Sequence, residues 1–95
     1  MIGRVAVRLS IRGRDIVRGG SPDEVPGLVV KFFNAERTRS VAAAAGRWPG
    51  SGTWRQVEGE VTVPQWACEA ILQVGLLGAT GSWDVDDVAV SGFPR

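Results

Sequence analysis

Four tryptophans, two glutamates spaced two apart and an acidic run near the C-terminus are the side chains here with chemistry to offer. Trp48 lies in the Gly- and Pro-rich stretch Gly46-Arg47-Trp48-Pro49-Gly50-Ser51-Gly52, and Trp66 follows Pro64 in a short link. A flat indole in such a loop, next to a polar group such as Arg47, can stack on the apolar face of a ring-shaped ligand while the polar group bonds its hydroxyls. Gln56 and Gln73 fall within strand-like runs and offer further hydroxyl partners, as does Lys31. Trp54 opens a strand and Trp83 sits beside a hairpin, so both are expected to pack.

Glu58 and Glu60 share one face of a strand and superficially match the paired carboxylates of glycosidases. Such pairs are common on solvated strands, and the chain is not read as an enzyme. With no histidine and one cysteine, the usual zinc sites, His-dependent triads and an intrachain disulfide are excluded. Cys68, in an apolar context, is expected to be a small packing residue.

The elements that must position these groups read as strands. Val5, Val7, Leu9 and Ile11 alternate with Arg4, Ala6, Arg8 and Ser10, giving one buried and one wet face. Arg12-Gly13-Arg14-Asp15 signals a turn, with Ile16 and Val17 as a short extension. Leu28–Phe33 is apolar on both faces and is expected to be central. Ala35–Ala45 has helix propensity in its alanines, but Gly46 and Pro49 close it quickly, so a turn and a short strand are expected instead. Strands follow from Thr53, over Val61–Val63, over Ala70–Leu76 and over Gly81–Val90, with Ser91–Arg95 as a tail. The C-terminal third, with three such runs between Pro and Gly punctuation, is expected to organise the rest. Recurrent short strands with turn signals and no long amphipathic helix predict an all-β antiparallel sandwich in one domain over residues 1–95.

Ninety-five residues carry a formal charge of +1 and 44% hydrophobic residues, so no electrostatic bias favours nucleic acid or membrane. Arg4, Arg8, Arg12, Arg14 and Arg18 crowd the first twenty residues and are expected to cover the solvent face of an early strand, with a polyanion site as the sharper alternative. No apolar run near the start suggests a signal peptide, and none approaches a membrane span.

Gly52-Thr53-Trp54, Val61-Thr62-Val63-Pro64, Ala70–Leu76 and Gly78-Ala79-Thr80-Gly81-Ser82-Trp83-Asp84-Val85-Asp86-Asp87-Val88 together resemble the C-terminal portion of jelly-roll carbohydrate-binding modules of the galactose-binding-like superfamily, appended to bacterial glycoside hydrolases. The resemblance spans about residues 28–91. It implies a jelly-roll-like sandwich that binds a polysaccharide or glycan without catalysis, outside the cell, within a larger secreted protein. With that function, Trp48 and Trp66 are the expected stacking platforms and Arg47, Gln56 and Gln73 the hydroxyl partners, while the resemblance gives Trp54 a packing role. No cofactor is required, though such modules often hold a structural Ca²⁺ through an acidic residue of the last strand. Asp86 is the candidate here, with Asp84 on the same strand face. The Asn, Gly, Phe and Glu cluster that usually opens the family's first strand is missing, so the chain reads either as a compact variant or as a piece truncated at its N-terminus. Its open sheet edges would then be covered by a homo-oligomer or a strand-completing partner. The alternative is a structural or self-assembling sandwich that binds no glycan, and an enzyme fragment ranks third.

Overall fold

A computed structural model describes residues 2–95 and contains six strands and no helix: β1 (Ile2–Val17), β2 (Gly27–Phe33), β3 (Ser40–Arg47), β4 (Gly52–Thr62), β5 (Glu69–Gly75) and β6 (Thr80–Pro94). They form two antiparallel three-stranded sheets packed as a sandwich, ordered β4-β1-β6 and β3-β2-β5. The pairing is nested. The first strand pairs with the last, the second with the fifth, and the third abuts the fourth across the layers.

The all-β sandwich agrees with the sequence expectation, but its centre does not lie in the C-terminal third. β1 and β2 are the central strands, and their alternate residues make the core: Val7, Leu9 and Ile11 from one sheet meet Leu28, Val30 and Phe32 from the other, with Val61 beside them. Each of these seven is at most 5% exposed, whereas β5 and β6 are edges with most side chains open to water. Two-residue periodicity marks a strand whether it is central or peripheral, so alternation alone could not rank them.

Three expected breaks are absorbed into longer strands. The Arg12–Asp15 turn signal is a shift of register inside β1, with Asp15 at φ 54°. The Trp54 and Val61 runs are one strand, β4. The tail is strand too, since Ser91, Gly92 and Phe93 pair with Ala6, Val5 and Arg4. The alanine-rich segment forms β3, as expected, and the space available accounts for its small side chains. Ala43 and Ala45 lie on the inner side where β4 comes close, and a Cβ on Gly59 would collide with the Ala45 carbonyl.

Phe32→Ala is expected to lower unfolding stability by about 3–5 kcal/mol, because the ring is fully enclosed. Ile71→Ala, 46% exposed on the outer side of the same sheet, should cost less than about 1 kcal/mol. Urea unfolding of both variants checks the ranking of central over edge strands.

Candidate functional site

Alternation along β1 sends Val7, Leu9 and Ile11 inward and therefore Arg4, Ala6, Arg8, Ser10 and Arg12 outward. Register then fixes their neighbours. On one side β4 places Thr62, Glu60, Glu58 and Gln56 opposite Arg4, Ala6, Arg8 and Ser10, and Trp54 follows Gln56 on the same face. On the other, β6 places Phe93, Ser91, Ala89, Asp86 and Asp84 opposite Arg4, Ala6, Arg8, Ser10 and Arg12. The outer face of this sheet is thus a polar platform with an aromatic ring toward each end.

Its shortest polar contacts are at the Trp54 end. The Arg12 guanidinium lies 4.8 Å from the Trp54 ring centre and donates from Nε and Nη2 to Asp84 Oδ2, at 2.9 and 2.8 Å. Asp84 therefore fixes the cation, and the cation steadies the ring, while 45% of Trp54 stays open to water. Arg4 repeats the arrangement at the far end, 4.6 Å from the Phe93 ring and 3.6 Å from Glu60. Between them a shallow open depression of about 430 Å³ is bordered by Arg8, Glu58, Glu60 and Ser91. The early arginines do cover a solvent face, where three guanidinium groups stand among four carboxylates, Glu58, Glu60, Asp84 and Asp86.

The residues expected at a ligand do not converge. Trp48 is half-buried against the core, its ring over Gly46 and its backbone N–H donating to the Pro26 carbonyl at 2.8 Å. Trp66 is half-buried too, with the Arg39 guanidinium 4.4 Å from its ring centre. These two tryptophans sit at opposite ends of β2, about 20 Å apart along the strand. Arg47 ends β3 beside Trp48. Gln73 is on the outer side of the β2 sheet opposite Val29, near Lys31, whereas Gln56 is on the outer side of the other sheet. Of the five, Gln56 alone belongs to the platform.

Trp54 corrects the expectation of a packing residue. Its position shares parity with Gln56, Glu58 and Glu60, an outward row that the sequence already carried. Trp83 is half-buried as expected, packed on the core with its indole N–H enclosed and without an acceptor. Cys68 is exposed, not enclosed, because the link after Pro64 leads it to the rim of an open cleft.

Asp84 and Asp86 do share a face, but each already has a bond. Asp84 holds Arg12, and Asp86 Oδ1 accepts the Asp87 N–H at 2.8 Å. Among the described residues no three carboxylate, cysteine or histidine side chains gather as a metal-binding group.

One ion pair outside the platform has a titration consequence. Arg37, in the β2–β3 turn at φ 58°, donates from Nε and Nη2 to both Glu69 oxygens at 2.9 and 2.7 Å and lies over Phe33. These hydrogen bonds hold the Glu69 carboxyl below the usual glutamate range. No protein family matches the chain, and neither curated proteins nor solved structures yield a match.

Because the folded Glu69 is the stronger acid, its contribution is present above the unfolded pKa and is lost as pH falls through the lower folded value. Glu69→Gln is expected to lose that increment near neutrality and to show a shallower decline in stability on acidification. Thermal unfolding from pH 7 to pH 2 measures both slopes.

Proposed function

We propose that this chain is a noncatalytic glycan-binding module whose ligand lies across the outer face of the β4-β1-β6 sheet. The observation that carries the reading is Trp54, a large ring left nearly half exposed on a flat sheet face and steadied there by Arg12 and Asp84. A sugar offers C–H faces to such a ring and hydroxyls to the groups around it. Gln56 is the nearest uncharged partner along β4, with Ser10 beside it on β1 and Glu58 and Arg8 further along.

Charge narrows the ligand. A polyanion would meet four carboxylates among three guanidinium groups on this face, so long-range attraction is weak and a neutral polysaccharide is the better fit. The face is broad and shallow, which suits an extended chain lying along the strands more than a single enclosed sugar. The resemblance to jelly-roll carbohydrate-binding modules supports the same class of ligand, but the aromatic platform moves from Trp48 and Trp66 to Trp54. Glu58 and Glu60 serve as hydroxyl acceptors in this reading.

A structural or self-assembling module is the second reading, favoured by the open side between β5 and β6.

Affinity electrophoresis and pull-down over cellulose, xylan, mannan and β-glucan test the glycan proposal. The wild-type chain is expected to be retained by one polymer, with Trp54→Ala losing at least about tenfold in affinity and Trp66→Ala keeping it. Retention by none of the polymers, or retention indifferent to Trp54, overturns it.

A further inference from the structure

The two long sides of the sandwich are built differently. On one, β3 and β4 close together, with Gly59 making room for the Ala45 carbonyl. On the other, β5 and β6 end their sheets without closing. Register shows which side chains this leaves uncovered. Val74 and Leu72 lie beside Leu28 and Val30, and Val90 lies beside Val7, so all three belong to the inner layer. Yet their central-strand neighbours are at most 2% exposed, while Leu72, Val74 and Val90 are 39%, 43% and 51% exposed, and Val88 is 50% exposed. The inner layer runs out to this side and stops in water. A cleft of about 360 Å³, walled by Phe32, Val63 and Ala70, lies at the Glu69 end of β5 beside the link from β4.

We propose that this side is a self-association surface, on which a second copy of the chain continues both sheets across a twofold axis normal to the two layers. Such an axis keeps each layer in its own plane and reverses strand direction. It therefore sets β6 antiparallel to the second copy's β6 and, at the same time, β5 antiparallel to its β5. Each inner surface then meets the inner surface of the opposite layer of its partner along the seam. One operator satisfies both open edges and closes at two copies.

The occupant follows from fit. The inward positions of β5 are Ala70, Leu72 and Val74, without charge, so the second copy's β5 brings like apolar groups and no like charge on that layer. β5 pairs with β2 without any register shift and contains neither lysine nor proline, which leaves its outer edge straight and unguarded. A side set by the 40 Å length and 16 Å dimension of the molecule covers at most about 640 Å² per copy, at the small end against the ~800 Å² per partner of a standard interface. The platform on the outer face stays accessible in this arrangement, so the inference does not rest on the glycan reading, and failure of the polymer panel leaves it unaffected.

Sedimentation equilibrium of the 95-residue chain between about 1 and 100 μM is the test. The expected mass is twice the 10.1 kDa of the chain at the upper end, and Leu72→Lys and Val90→Lys, each checked for native circular dichroism, should sediment as single chains. Should either variant misfold, hydrogen exchange on the wild type serves instead, with slower exchange of β5 and β6 edge amides expected at the higher concentration. A single-chain mass throughout, open-ended polymers, or a dimer whose β5 and β6 amides exchange alike at both concentrations overturns the proposal.

Discussion

The contact between β1 and β2 across the two layers holds the rest of the chain in place. Val7, Leu9 and Ile11 project from the middle of one sheet into Leu28, Val30 and Phe32 from the middle of the other. These residues exclude water on both sides, which few other positions in so small a protein can do. Outward alternation from β1 then places Arg4, Arg8 and Arg12 on the opposite surface at regular spacing. The polar platform is therefore the reverse side of the core, and a slip of one residue in β1 would exchange the two.

The sandwich is lopsided about that contact. Small side chains, Ala43, Ala45 and Gly59, let β3 and β4 draw the layers together on one flank. Larger aliphatic groups on β5 and β6 extend the apolar layer on the other flank without meeting a covering element. Most of the ion pairs and stacked cations are on outer surfaces, where solvent screens them and each contributes little to stability. Their effect is to hold particular side chains in one orientation, as Asp84 does for Arg12 and Arg12 for Trp54.

What could be read from the amino acids was local. The alternation of Val5–Ile11 and the apolar run Leu28–Phe33 announced strands, and turn chemistry around Gly46 and Pro49 outweighed the helix preference of the alanines. What could not be read was pairing. The apolar periodicity of Ala70–Leu76 looks like that of a central strand, and only the topology shows it to be an edge. Trp48 illustrates the same limit at a single residue. A Gly- and Pro-rich loop suggested an exposed ring, but the Pro26 carbonyl, brought near by the β2–β3 pairing, accepts the Trp48 backbone N–H, and the indole lies against the core. Trp54 was legible in principle, since it keeps step with Gln56, Glu58 and Glu60. The resemblance that gave it a packing role obscured this.

The nested pairing also sets an order of events in time. β1 precedes both of its neighbours in the chain by a long way, since β4 begins only at Gly52 and β6 only at Thr80. Until Thr80–Pro94 has been made, a sixteen-residue strand bearing Val5, Val7, Leu9 and Ile11 has no completed sheet to join. Loop closure over such separations is slow, and an unpaired apolar strand is prone to wrong partners while it waits. The arginines that alternate with those residues supply like charges that repel another nascent β1, so the solvent face of the finished sheet also protects the chain before it folds.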